Sequence, residues 1–133
     1  MKHFDVVAGV VINDSRVLCL QKGLTKYDYT RYKWEFPGGK IEEGETPPQA
    51  LRRELIEELN LDVKVESHLI TVMHKYKDFS ITLRAYLCHA DMIQVTLTEH
   101  SAFKWASIDE IANIDWCEAD VAIAKAVIRE LNH

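Results

Sequence analysis

Within residues 39–61, Glu54, Glu57 and Glu58 stand at i, i+3 and i+4. On a helix that spacing puts three carboxylates on one face, with Cβ atoms about 5–6 Å apart, where like charges repel and cost stability. The flanking residues nevertheless demand a helix. Thr46 is placed as N-cap, Pro47 at the first helical position and Gln49 at the third, which makes a capping box. The predicted helix runs from about Pro47 to Leu59. Leu51, Leu55 and Leu59 form its buried stripe, broadened by Ala50 and Ile56, and the glutamates face away. A hard divalent cation relieves such a carboxylate face. Mg²⁺ takes oxygen ligands, keeps several waters and bridges carboxylates to phosphates. The segment therefore reads as a site for Mg²⁺, or Mn²⁺, and a phosphate-bearing ligand.

Around this helix the chain reads as strands. Val6–Ile12 is nearly continuously apolar, the pattern of a strand buried on both faces. Asn13-Asp14-Ser15 predicts a hairpin turn into Arg16–Gln21. Strand patterns recur over about 63–76 and 79–90, turning at Lys77-Asp78, and again over Phe103–Ala106. Ser107-Ile-Asp-Glu110 is a second capping box, and residues 118–131 form a final helix. Its core candidates are Val121, Ile123, Ala124, Val127, Ile128 and Leu131. Strands split by one helix and followed by others give an α/β or α+β class with a mixed sheet. Residues 22–33 are a polar loop in which Lys22, Lys26, Arg31 and Lys33 alternate with Tyr27, Tyr29 and Tyr32. We expect this loop to close over a bound triphosphate or base.

The length of 133 residues fits one domain, 1–133, with a real core. A net charge of −5 argues against a broad electrostatic footprint for DNA or RNA, but not against a nucleotide brought in by a cation. Cys19, Cys88 and Cys117 lack disulfide or zinc spacing, and Cys19 and Cys88 lie in apolar, strand-like runs. The N-terminus is not signal-like and no apolar run approaches a membrane span, so a reducing cytoplasm is expected, with no membrane partner.

The segment 39–61 resembles the Nudix box, G-x5-E-x7-R-E-U-x-E-E-x-G-U, where U is aliphatic. Gly39, Glu45, Arg53, Glu54, Leu55, Glu57, Glu58 and Leu61 fall in register; Asn60 replaces the second glycine. That position needs a residue able to leave the helix with positive φ, and Asn is the usual second choice. Trp34-Glu-Phe-Pro-Gly-Gly-Lys-Ile-Glu42 is similar to the MutT and CTP pyrophosphohydrolase branch, and the similarity can be followed from Val6 to Leu131.

The resemblance implies an α-β-α sandwich around a mixed sheet, and roles for particular residues. Glu54, Glu57, Glu58 and the Gly38 carbonyl hold the metal, while Arg53, able to pair with Glu45 or Glu57, orients the glutamates. Glu99 stands before Trp105 as the branch's extra glutamate does, as a further metal ligand or general base; Glu54 is the other candidate base. Asp120, in Glu118-Ala119-Asp120, falls where the branch reads the nucleobase, and equally fits a helix N-cap or first-turn acid. Lys40, Phe36 and Trp116 are candidate substrate contacts, the two aromatics by packing on the base. His100 adjoins Glu99 and reads as an exposed loop histidine. The implied activity is Mg²⁺-dependent hydrolysis of a (d)NTP, oxidised or otherwise modified, to the monophosphate and pyrophosphate, by a monomer or homodimer. ADP-ribose or dinucleoside polyphosphate hydrolysis is the enzymatic alternative, with Tyr76 at the edge of the window that marks those branches. A non-catalytic nucleotide sensor is disfavoured because the box glutamates are all present.

Overall fold

The computed structural model describes residues 1–131. The chain runs β1 Lys2–Asn13, β2 Arg16–Gln21, β3 Trp34–Glu35, β4 Gly38–Lys40, α1 Pro47–Leu59, β5 Lys64–Lys75, β6 Phe79–His89, β7 Ala102–Ala106, α2 Ile108–Ile111 and α3 Glu118–Leu131, with a 3₁₀ turn at Asp28–Thr30. The sheet has the order β3-β2-β1-β6-β5, with β4 on β1 and β7 on β2. It is mixed: β1 and β6 are parallel, and the other pairs are antiparallel. No helix among the described residues is long and apolar enough to cross a membrane.

The continuous apolar run of β1 has a direct cause. Ala8 and Val10 belong to the core beneath α2 and α3, whereas Val7 and Val11 belong to the core beneath α1. β2 divides likewise, with Val17 and Cys19 on one side and Leu18 and Leu20 on the other. A strand covered on both faces needs apolar residues at every position, not at alternate ones. The expected α-β-α sandwich is thereby built. The β1–β2 hairpin turns through Asp14 and Ser15, both at positive φ (49° and 63°), as a two-residue hairpin requires.

α1 opens on the predicted capping box, Thr46 with Gln49. Leu51, Leu55 and Leu59 are buried as expected, but Ile56 is not part of the stripe: it is 47% exposed. It lies one position round from Leu55, beyond the arc that the sheet covers. In α3 the core residues are Ile123, Ala124 and Val127, while Val121 is 38% exposed. The residue taking its place is Asp120, whose inward position is explained below.

α1 ends at Asn60 in the left-handed conformation (φ 50°, ψ 40°), and the Leu61 N–H reaches back to the Leu55 carbonyl. Asn substitutes here for the glycine of the pattern because its short polar side chain tolerates this region. Asn60→Gly should therefore raise stability by up to about 1 kcal/mol and Asn60→Ala lower it by about as much, read from denaturant midpoints at constant slope.

Candidate active site

The residues of the box meet at a single arginine. Arg53 Nε donates to Glu45 Oε2 at 2.7 Å and Nη2 to Glu45 Oε1 at 3.0 Å, a two-point grip. Nη1 donates to Glu54 at 2.9 Å and to Glu57 at 3.2 Å, and Nη2 also reaches the Lys40 carbonyl at 3.0 Å. Hydrogen bonding to Glu45 holds the Glu45 carboxyl below its usual range. The arginine thus offsets the repulsion that the helix spacing creates and pins α1 to β4. Two glycines make this approach possible. A Cβ on Gly39 would run into the Glu54 carboxyl, and one on Gly38 into the Val7 carbonyl.

Beside this junction opens a cavity of about 790 Å³. Its lining includes Glu54, Glu58, Glu99 and Gly38, together with Phe36, Asp120 and residues of the 22–33 loop. The Glu58 carboxyl is pushed up to about 7, first by burial and then by Glu54 beside it. A carboxyl raised by burial and by a neighbouring carboxylate is one that a divalent cation would stabilise in its ionised form. The donors are all oxygens, which fits a hard divalent ion. Glu57 stands apart. Its side chain is 60% exposed, it is tied to Arg53, and it does not line the cavity. Among the described residues no three His, Cys, Asp or Glu side chains already converge on one metal position.

Lys40 lines the cavity, with its ammonium 4.3 Å above the Phe4 ring. Phe36 is also on the lining, nearly fully buried. Trp116 differs from the expectation: it stacks behind Phe36 (centroids 4.4 Å, interplanar 12°) and does not line the cavity. Its indole N–H is spent on the Ile111 carbonyl. It backs the ring that faces the ligand space.

Asp120 sits on the first turn of α3 but does not cap it. Its Oδ1 accepts from the Phe36 N–H at 3.0 Å, joining the helix to the segment after β3. Burial, reinforced by the charge of Glu35, pushes its carboxyl well above the ordinary range. Tyr76 is likewise committed: its hydroxyl accepts from the Ala119 N–H at 3.0 Å, at the start of α3.

Two residues without an assigned role in the sequence, Glu35 and His100, complete the lining. Glu35 accepts from His100 Nε2 at 2.8 Å and lies 3.4 Å from the Lys22 ammonium. Burial raises the Glu35 carboxyl, but the His100 hydrogen bond and Lys22 outweigh it, and the net shift is downward. His100, expected as an exposed loop histidine, has a side chain only 9% exposed. A lone charge between two aromatics, Trp34-Glu35-Phe36, was the available signal for Glu35. His100 carried none.

The 22–33 loop is docked by its aromatics. Tyr27 packs on Phe79 (5.0 Å) and stacks on Tyr29 (5.5 Å), and Tyr29 stacks on Tyr76 (5.6 Å). Two of its cations already have partners, Lys22 with Glu35 and Lys33 with Asp115.

A carboxyl raised in the folded state binds more protons folded than unfolded, so stability falls as pH climbs from the ordinary Asp range toward the folded value. Asp120→Asn removes that loss while keeping an oxygen for the Phe36 N–H. Its melting temperature should exceed the parent's at neutral pH, with the gap closing near about pH 4. A gap independent of pH would contradict this.

The comparisons agree with this geometry. An 8-oxo-dGTP diphosphatase of Proteus vulgaris is 41% identical over 86 residues, covering 65% of this chain and 76% of the relative. The CTP pyrophosphohydrolase of Escherichia coli K12 is 33% identical over 128 residues, covering 95% and 92%. The solution NMR structure of the mismatch repair protein MutT, of the Nudix hydrolase family, from methicillin-resistant Staphylococcus aureus 252 superposes with a TM-score of 0.74 at 34% identity, covering 98% and 99% of the two chains. The NUDIX domain family model matches residues 2–131, and with the box assembled around Arg53 the chain belongs to the Nudix hydrolase family.

Proposed function

We propose that this chain, acting as one domain in the cytoplasm, is a MutT-type pyrophosphohydrolase that converts a (d)NTP to the monophosphate and pyrophosphate with Mg²⁺ as cofactor. One observation carries the reading: a single cavity is lined both by the carboxylates Glu54, Glu58 and Glu99 and by the buried Asp120–Phe36 pair. A triphosphate and its base need those two chemistries. The substrates in the names of two relatives, 8-oxo-dGTP and CTP, point to an oxidised purine or a pyrimidine nucleotide.

Glu54, Glu58 and the Gly38 carbonyl, on the cavity lining, are the residues that would hold the cation; Glu57 would join them by turning its exposed carboxylate away from Arg53, which orients Glu54. Bound there, Mg²⁺ neutralises phosphate charge and polarises the anhydride. The glutamates lie beside the helix stripe that anchors α1, so their backbone positions are fixed before any ligand arrives. Glu99 makes no side-chain hydrogen bond among the described residues, unlike Glu54 with its Arg53 contact. It is therefore the freer base. It takes the proton of the attacking water as that oxygen adds to phosphorus and the phosphoanhydride bond breaks, with pyrophosphate leaving. Elsewhere on the lining, Asp120, its carboxyl pushed upward by burial, leaves the oxygen not used by Phe36 for a polar edge of the base, accepting when ionised and donating when protonated.

The test is a screen of nucleotides with Mg²⁺, detecting pyrophosphate and phosphate separately. Chelation should abolish turnover, and Mg²⁺ or Mn²⁺ should restore it. Glu58→Gln and Glu99→Gln should each lower kcat by roughly 10²–10⁴-fold with the fold intact. Turnover that survives exhaustive metal removal, or release of phosphate alone, would sink the proposal.

Base reading by Asp120 predicts a change in ranking. Asp120→Ala should cost the preferred nucleotide about ten- to a hundredfold in kcat/KM, the worth of a hydrogen bond to such a group, and leave nucleotides that lack the partner atom much less affected. A uniform fall across all bases would reduce Asp120 to the tie between α3 and Phe36.

A further inference from the structure

The segment 90–101, between β6 and β7, has no regular secondary structure, yet it carries Glu99, the base assigned above. The Glu99 side chain is exposed and makes no hydrogen bond of its own among the described residues. A general base works within hydrogen-bond reach of the water it deprotonates, about 2.6–3.2 Å, and a misplacement of about 1 Å can cost a hundredfold. The backbone at Glu99 must therefore be fixed relative to α1, which carries Glu54 and Glu58.

The last turn of a helix leaves carbonyls with no partner inside the helix. In α1 the Ile56 carbonyl accepts from the Asn60 N–H and the Leu55 carbonyl from the Leu61 N–H. The two carbonyls beyond them are met by the segment that carries Glu99. Thr98 Oγ1 donates to the Glu58 carbonyl at 3.1 Å, and the Thr96 N–H donates to the Leu59 carbonyl at 3.0 Å. Past Glu99, the Ser101 N–H donates to the Gln21 carbonyl at 3.0 Å, at the end of β2. Glu99 thus lies on a short span, Thr98–Ser101, strung between α1 and β2. Thr98 is its side-chain anchor on the helix. It stands one residue before the base and binds the backbone of Glu58, whose own side chain lines the cavity. The two carboxyls are near neighbours: after burial and Glu54, the Glu99 charge also raises the Glu58 carboxyl. The Thr98 bond is exposed, so it adds little to overall stability, and its consequence is position.

We propose that Thr98 is a positioning residue for the reaction: its hydroxyl, bonded to the Glu58 carbonyl, holds Glu99 at the distance from the cation site at which it takes the proton of the attacking water. The proposal rests on the assignment of Glu99 as base. It makes the base and the carboxylates of α1 one body, because the segment that carries Glu99 closes the end of the helix that carries Glu54 and Glu58.

The experiment measures steady-state pyrophosphate release by the full chain at saturating Mg²⁺, with 8-oxo-dGTP and CTP as probes. Thr98→Val and Thr98→Ser are each made in the parent and in the Glu99→Gln background. Thr98→Val keeps the branched shape and loses the donor. It should lower kcat about two- to tenfold, the range for losing one hydrogen bond, with KM nearly unchanged. Thr98→Ser keeps the hydroxyl and should restore most of the rate. In the Glu99→Gln background Thr98→Val should cost nothing further, because a residue that acts through the base has no effect once the base is gone. Thermal melts check that every variant folds; if Thr98→Val does not, Thr98→Ala takes its place with the same expectations. Parental kcat in Thr98→Val overturns the inference, and so does a rise in KM at constant kcat. An equal fold-loss in both backgrounds also overturns it, assigning the hydroxyl to α1 and leaving Glu99 as base. Full activity of Glu99→Gln overturns the base assignment and this inference with it. Absence of pyrophosphate release from both probes overturns the functional reading and this inference together.

Discussion

The structure of this site depends on one guanidinium among four acids. Glu42, Glu45, Glu54 and Glu57 all lie within 4 Å of Arg53, and the same group holds a carbonyl of β4. Without it, α1 would present a row of mutually repelling carboxylates to a strand whose own backbone approaches closely. The arrangement is economical in geometry. A planar fork with five donors can face several carboxylates at once, which an ammonium cannot. Because Arg53 is largely buried, its interactions are less screened than those of a surface pair. The consequence reaches further than the helix. Gly39 can sit against Glu54 only while α1 is held at that distance, and the Gly38 carbonyl shares the placement.

The second organising element is a polar chain along the cavity. Lys22, Glu35 and His100 come from the 22–33 loop, from β3 and from the loop before β7, three separate segments of the chain. Asp120 adds the start of α3 by way of the Phe36 N–H. Two buried carboxyls, Glu35 and Asp120, feel each other, and their environments separate them. Glu35 has a cation and a ring N–H and stays ionised, whereas Asp120 has one backbone N–H and is driven toward neutrality. Environment thus shifts two chemically similar groups on one cavity lining in opposite directions.

The aromatic residues show the same division of labour. Phe36 faces the ligand space because Trp116 fills the layer behind it. Tyr27 and Tyr29 pack on Phe79 and Tyr76, so the 22–33 loop is fixed by apolar contact and not by its cations alone. The hydroxyl of Tyr29 adds a hydrogen bond to Asp78 at the β5–β6 turn.

Much of this was legible in the chain because it is local. The capping box at Thr46, the i, i+3, i+4 glutamates, the leucine stripe, the left-handed Asn60 and the doubly buried β1 are set by spacing over a few residues. The cavity wall of Glu54 and Glu58, and the Arg53–Glu45 grip, follow from that local geometry. The rest required the fold. Helical periodicity places Ile56 and Val121 at the margins of their stripes, and only the width of the covering sheet decides that both stay exposed. The partner of Asp120 is 84 residues away and that of His100 is 65 residues away, so neither bond leaves a trace in local pattern. Chain chemistry over short distances determined the helix, the row of carboxylate oxygens on it and the strand layers. Tertiary packing decided which charges are buried together, because desolvation depends on what arrives from the other segments and not on neighbours in sequence.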